Sequence, residues 1–127
     1  MASQLVTALE TLLADVPGAD ALWLERWDPP AEPAATEQLD ARFAELARAF
    51  EAVVTDIAGD WGKPDYFGSA EQEDFPGWSE ALLLASWLRD GHTAFVALRQ
   101  DDDTQPMFIE LGAVTAEEIV TLAIGRK

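Results

Sequence analysis

The residues that could perform catalysis are few, and His92 is the single histidine of the chain. A histidine acts as a general base when a serine nucleophile or a second acid lies beside it. None of the four serines, Ser3, Ser69, Ser79 and Ser86, is flanked by both glycines of the G-x-S-x-G nucleophile turn. Because His92 follows a predicted hairpin turn, a solvated polar role is favoured, and the sequence predicts no catalytic residue.

Metal and nucleotide ligands are equally sparse. The chain has no cysteine, so thiolate zinc sites are excluded, and one histidine cannot build a histidine-rich site. Asp101, Asp102 and Asp103 resemble a cluster for a hard cation, but they lack the central glycine and terminal glutamate of an EF-hand loop. A solvated loop is the favoured interpretation. Since the G-x-G-x-x-G and G-K-[ST] patterns are also missing, we predict neither a metal site nor a cofactor.

Net charge is the strongest signal in the sequence. The chain has 24 Asp and Glu against eight Lys and Arg, a formal charge of −16 over 127 residues. Such a surface repels phosphate backbones and attracts basic proteins, so nucleic-acid binding is disfavoured. From Ala49 to Leu88 the only positive residue is Lys63, among eight carboxylates, which favours a field of one sign on one side of the protein. Solubility alone is the competing explanation.

A candidate partner-binding segment lies between Trp61 and Trp78, where aromatic and acidic residues alternate without a helical or strand period. Aromatic anchors beside charge are typical of interface hot spots. The alternative is that these rings cover the hydrophobic core. The predicted partner-binding residues are Trp61, Asp65, Tyr66, Phe67, Glu71, Glu73, Asp74 and Trp78.

Taken together, these features favour a non-enzymatic acidic domain that binds a basic protein, as an immunity or inhibitor protein does. The alternative is a small-molecule or cation-binding domain, enzymatic or not, with a carboxylate-lined pocket between the long helix and the sheet. Carboxylate pairs that could carry out acid–base chemistry are expected by chance among so many acids, so they favour neither hypothesis.

Composition bounds the architecture. Residues 1–127 suit a single domain, and 49% hydrophobic residues with five tryptophans can fill one core. The first positive residue is Arg26, so no basic signal-peptide start is expected, and no apolar run approaches the roughly 20 residues of a membrane span. We therefore expect a cytoplasmic protein that does not bind membranes.

Three helices are predicted from apolar residues spaced three and four apart. The first covers Ser3 to Val16 and stops at Pro17-Gly18. The second and clearest covers Glu37 to Ala58, with Thr36 as its N-cap and Gly59 as its stop. A capping box from Thr115 to Glu118 opens the third, which continues to Ile124.

Strands are predicted around one hairpin. Glu80 to Arg89 fits either a helix or a strand, but Asp90-Gly91 is a strong two-residue turn signal before the strand-like Thr93 to Leu98. With that turn, three pairs, Leu83–Leu98, Ala85–Val96 and Trp87–Ala94, place six apolar residues on one face.

Further strands are expected at Met107 to Leu111 and near Tyr66, and Ala21 to Trp27 fits a strand or a helical turn. The predicted fold is α+β, an antiparallel β-meander of three to four strands with helices packed on one face.

Overall fold

The computed structural model describes residues 4–16, 21–28, 36–76, 79, 81–89, 91–100 and 106–125. The predicted stop at Pro17-Gly18, the turn residue Asp90, the Asp101–Asp103 cluster and Trp78 lie outside these residues. The side chain of Thr36, the predicted N-cap, also lies outside the description.

The three predicted helices are present: α1 (Gln4–Asp15), α2 (Thr36–Trp61) and α3 (Ala116–Gly125). The capping box of α3 is confirmed by its two reciprocal bonds. The Thr115 amide donates to Oε1 of Glu118 at 3.0 Å, and the Glu118 amide donates to Oγ1 of Thr115 at 3.1 Å. These bonds satisfy two amides that the first turn of a helix otherwise leaves unpaired.

The prediction that α2 stops at Gly59 is wrong, because the helix continues to Trp61. Its end is set by Gly62, which has a φ of +84° and whose amide donates to the carbonyl of Ala58 at 2.8 Å. Glycine adopts this left-handed conformation without steric cost, so Gly62 closes the last turn. Gly59 keeps a helical backbone and only lowers the local helix propensity.

The sheet contains five strands rather than three to four: β1 (Leu22–Trp27), β2 (Tyr66–Ser69), β3 (Leu83–Arg89), β4 (His92–Arg99) and β5 (Met107–Thr115). Their order is β1-β5-β4-β3-β2 and every neighbouring pair is antiparallel. Strands β2 to β5 form a meander of consecutive strands. The additional strand, β1, joins the far side of β5, so β1 and β2 are the two edges.

The predicted hairpin register is confirmed: Leu83, Ala85 and Trp87 lie opposite Leu98, Val96 and Ala94. Gly91 has a φ of +81°, the conformation that a two-residue hairpin turn requires. Within the segment Glu80 to Arg89, which fitted a helix or a strand, residues Leu83–Arg89 form a strand. Its alternation of side chains places Leu83, Ala85 and Trp87 on the face that packs against the core.

The main core lies between this face of the sheet, which we call the helix face, and helices α1 and α2. Leu9 of α1, Phe50 and Ile57 of α2, and Trp87 of β3 are all buried there. The indole Nε1 of Trp87 donates to the carbonyl of Gly62 at 2.9 Å. The end of α2 is thus hydrogen-bonded to β3, the neighbour of the edge strand β2.

The opposite face of the sheet, which we call the open face, carries a smaller cluster built on Ala81, Leu84 and Ala97, with Tyr66, Phe75 and Phe95 packed against it. Phe95 lies opposite Gly112 on β5. A Cβ at Gly112 would come within 3 Å of three carbons of that ring. Glycine is therefore needed at position 112 for the ring to lie flat across the strand. No helix within the described residues is both long and apolar enough to cross a membrane.

Candidate functional site

The predicted partner-binding residues do not form one surface. Tyr66 and Phe67 are neighbours on β2, so their side chains point to opposite faces of the sheet. The Phe67 ring lies 5.9 Å from that of Phe50 on the helix face, and 53% of its surface is exposed. The Tyr66 ring lies edge-on to Phe75 on the open face, 6.0 Å between centroids.

Trp61 ends α2 and belongs to the helix face. It packs edge-on against Trp87 at 6.1 Å, and the Arg89 guanidinium lies 4.7 Å from its ring centroid. A cation over a tryptophan face is an attractive contact. Trp61 therefore covers the core at the end of the long helix, as the alternative interpretation expected, and remains half-exposed.

The predicted acidic residues have different positions. Asp65 precedes β2, and its Oδ2 accepts a hydrogen bond from the Leu88 amide at 2.6 Å. That carboxylate therefore ties β2 to β3. Glu71, Glu73 and Asp74 lie exposed in the turn after β2, where their charges face solvent. The eighth predicted residue, Trp78, is outside the described residues.

The Tyr66 hydroxyl has a clearly shifted pKa. Burial, and after it the negative charge of Asp74, raise the pKa of the Tyr66 hydroxyl above its ordinary value of 10.0. The hydroxyl oxygen is buried and has no hydrogen-bond partner within the described part of the chain. Both observations describe a phenol that is held neutral, which suits a packing residue and not a proton-transfer residue.

The outer edge of β2 is closed at Ser69 by a side chain. The Ala70 amide donates to the Leu82 carbonyl at 3.0 Å, so by strand alternation the Ser69 amide points away from β3. Oε1 of Gln72 accepts from that outward amide at 2.8 Å, and the Gln72 amide donates to the Ser69 carbonyl at 3.0 Å. The backbone groups of Ser69 are therefore occupied within the chain.

A groove of about 610 Å³ lies beside this edge, between the first turns of α2 and the sheet. Its apolar lining includes Leu39, Phe43, Leu83 and Met107, and its acidic lining consists of Asp40 and Glu71. The groove is therefore an apolar surface beside two carboxylates.

The side chains that line the groove are suited to binding a ligand rather than to catalysis. An apolar groove with two carboxylates favours a ligand that combines an alkyl or aromatic body with a positive charge, such as an arginine or lysine side chain beside an apolar one. Glu71 was predicted to bind a partner. Asp40 and the apolar lining were not, because they come from three separate elements, α2, β3 and β5, that only the fold brings together.

The opposite edge, β1, is exposed in a different way. Leu22, Trp23 and Leu24 are 44%, 50% and 36% exposed. Trp23 stacks on Phe108 of β5 at 4.2 Å, and the Arg26 guanidinium lies 5.0 Å from the Trp23 ring. The sequence fitted either a strand or a helical turn here, and the structure has the strand; no sequence pattern indicated that its apolar side chains would remain at the surface.

Other candidate centres give little support to catalysis. His92 begins β4, half-buried, and its Nδ1 has no hydrogen-bond partner among the residues described. Across the same described ranges, no three histidine or acidic side chains converge where they could hold a metal ion. The chain matches no protein-family model, no curated protein and no solved structure.

Proposed function

We propose that this protein is a non-enzymatic interaction domain whose acidic surface binds a basic protein, with the groove beside β2 as the anchoring site. The observation that carries the proposal is the groove itself, where Asp40 and Glu71 accompany an apolar lining. Glu73 and Asp74 follow Glu71 in the same exposed turn. A basic partner would be attracted by the net charge and held by an apolar side chain in the groove.

The electrostatics of the surrounding chain support this choice. Residues 49–88 hold one positive side chain, Lys63. Two arginines elsewhere form exposed ion pairs, Arg26 with Asp28 at 2.7 Å and Arg42 with Glu45 at 2.8 Å. Each pair joins one cation to one carboxylate and leaves the formal charge of −16 unchanged, so carboxylates remain in excess to attract a basic partner.

The test uses two fluorescent peptides of equal positive charge, one with leucines between its arginines and one with serines in their place. We expect the leucine peptide to bind about tenfold more tightly, because it buries an apolar side chain in the groove. Equal affinities for the two peptides would show that only unspecific charge attraction is present, and would contradict the proposal.

A matched pair of variants locates the site. The double variant Asp40→Asn/Glu71→Gln removes two carboxylates at the groove, and Glu10→Gln/Asp15→Asn removes two exposed carboxylates from α1. Both make the net charge less negative by the same amount. The groove variant should lose about tenfold in affinity for the leucine peptide, and the α1 variant about twofold or less. Equal losses would place the interaction elsewhere.

The volume of the groove favours a second candidate, a small amphipathic cation as ligand. A space of about 610 Å³ falls within the range of roughly 300–1,000 Å³ typical of small-molecule sites. Decylammonium is a suitable probe. If it binds at one site that Asp40→Asn/Glu71→Gln abolishes, while the two peptides bind equally, the small-ligand function is favoured over the protein-binding one.

A further inference from the structure

The β1 edge is a second surface, separate from the groove. It lies at the far end of the strand order from β2, and three consecutive residues, Leu22 to Leu24, expose between 36% and 50% of their surface. Long, exposed and apolar edge strands are places where another strand can add to a sheet. We propose that β1 pairs antiparallel with β1 of a second copy of this chain to form a homodimer.

The two faces of β1 are assigned by its contacts with β5. Leu22 lies opposite Leu111 and Trp27 packs against the main core, so both belong to the helix face. Trp23 stacks on Phe108, and Arg26 lies opposite Phe108 in the register, so both belong to the open face. A second strand must pair like faces with like faces.

When β1 is paired with β1 of a second copy, one antiparallel register meets this requirement. We call it the centred register, because the two-fold axis passes through the middle of β1. If Leu22 lies opposite Trp27 of the second copy, then Trp23 lies opposite Arg26 of the second copy. The first pair is apolar against apolar on the helix face, and the second is a ring against a guanidinium on the open face. A shift of one residue in either direction would set a helix-face residue against an open-face residue. The two outer pairs are thus complementary, and the middle pair sets Leu24 opposite Glu25 of the second copy.

The contact of Arg26 with Trp23 also favours a second copy, because β1 carries both the cation and the ring that such a pair needs. Within one chain the Arg26 guanidinium already lies 5.0 Å from the Trp23 ring centroid, and its side chain is 47% exposed. In the centred register each Arg26 approaches the Trp23 of the other copy.

A β-bulge interrupts the pairing of β1 with β5 between Trp23 and Glu25. Bulges on edge strands reduce pairing with other chains. In the centred register the bulged residue, Leu24, falls beside the two-fold axis, and the Leu22 and Trp23 pairs lie outside it. The bulge weakens the middle of the interface and leaves its ends intact, so we expect a weak dimer.

Salt should strengthen this dimer. Each copy carries a formal charge of −16, and two such copies repel one another at low ionic strength. The Debye length falls from about 10 Å at 0.1 M to about 3 Å at 1 M salt. The fraction of dimer should therefore increase with salt, whereas binding of a basic partner at the groove should decrease.

The experiment is sedimentation equilibrium of the full chain over a range of concentrations, at 0.1 M and 1 M salt. We expect a transition from a mass of 13.9 kDa to twice that mass, at lower protein concentration in high salt. A monomer under every condition would overturn the proposal. The groove function would survive that result, because the peptide experiment does not involve β1.

Variants on the two edges locate the interface. Trp23→Ser should weaken the dimer at least about tenfold. Leu24→Glu, which sets a carboxylate opposite Glu25 of the other copy and leaves the Trp23–Phe108 stack in place, should do the same. Phe67→Ser removes an aromatic ring of similar exposure from the β2 edge and should leave the dimer unchanged. If Phe67→Ser weakens the dimer and the β1 variants do not, the proposal is wrong.

The absence of cysteine allows a direct test of the register. In the variant Leu24→Cys, the two introduced thiols lie beside the two-fold axis, and diamide oxidation should link them within the range of about 4.4–6.8 Å between Cα atoms that a disulfide requires. The variant Phe67→Cys serves as the control. Equal crosslinking of both variants would contradict the proposed register.

Discussion

The two edges of the sheet expose apolar side chains and backbone in different ways. β2 has four residues, and Gln72 occupies both backbone groups of Ser69 at its outer edge. β1 has six residues and exposes Leu22, Trp23 and Leu24 at the surface. Carboxylates flank β2, whereas β1 carries neighbouring charges of both signs in Glu25 and Arg26.

This difference separates two modes of recognition. An edge that its own chain has closed can still bind through side chains beside it, as the acidic groove next to β2 is proposed to do. An open edge with apolar side chains can bind through backbone pairing. The two interactions should therefore respond to different substitutions and to salt in opposite directions.

The largest expected change in the free energy of unfolding comes from Trp87, which packs in the core beside β2. Trp87 is 2% exposed and bonds the Gly62 carbonyl. Trp87→Ala should lower the free energy of unfolding by about 4 kcal/mol, because it leaves a large cavity. Trp87→Phe keeps a ring and loses the hydrogen bond, so it should cost about 1–2 kcal/mol. Urea denaturation measures both, and equal losses would contradict this account of Trp87.

The next largest change in stability is expected at the Arg99–Glu110 ion pair, on the open face near β1. Arg99 contacts Glu110 at 3.2 Å, and the Glu110 side chain is 8% exposed. Arg99→Met should cost about 3 kcal/mol, because it leaves a buried carboxylate without its cation. The double variant Arg99→Met/Glu110→Leu should recover most of this loss. If the double variant is no more stable than the single one, the loss does not come from the unpaired charge.

A smaller effect is expected at the closed edge. Gln72→Ala removes the acceptor of the Ser69 amide and should lower stability by about 1 kcal/mol. Hydrogen exchange at the Ser69 amide should accelerate. Gln72→Glu keeps an acceptor oxygen in reach and is the matched control. Unchanged exchange in Gln72→Ala would show that the edge is closed by something else.

The smallest effect is a pH dependence at β2. The raised pKa of Tyr66 means that the unfolded chain releases its phenol proton first as the pH rises. The stability contributed by the neutral hydroxyl is therefore complete below pH 10.0 and is lost as the pH rises through the folded pKa. Tyr66→Phe should remove this alkaline loss and change stability little at neutral pH.

Tyr66 is the only tyrosine, so phenolate absorbance in the folded protein reports its titration directly. A midpoint above 10.0 is expected. A midpoint below that value would contradict the burial of the hydroxyl.

Features that depend on neighbours along the chain could be predicted from the sequence. The capping box at Thr115 and Glu118 involves residues three apart, and the register of β3 with β4 follows from Asp90-Gly91 and a period of two. The length of β5 was underestimated, because Gly112 and the small residue Ala113 obscured the strand pattern. In the structure Phe95 lies over Gly112, and this contact replaces the missing side chain.

Features that depend on distant segments could not be predicted. The groove joins Asp40 of α2 to Glu71 after β2, and Met107 of β5 completes it, although no local pattern connects them. The exposure of Leu22 and Trp23 follows from the position of β1 at the edge of the sheet, which depends on its pairing with β5. Trp61 and Tyr66 were placed in one predicted site, but the sheet puts them on opposite faces.

The measurement that tests the difference between the edges most directly is sedimentation of the chain, alone and with the leucine peptide, at 0.1 M and 1 M salt. We predict that raising the salt dissociates the peptide and increases the mass of the chain alone. If both interactions weaken with salt, or both strengthen, the two edges do not bind by different physical means and the account is wrong.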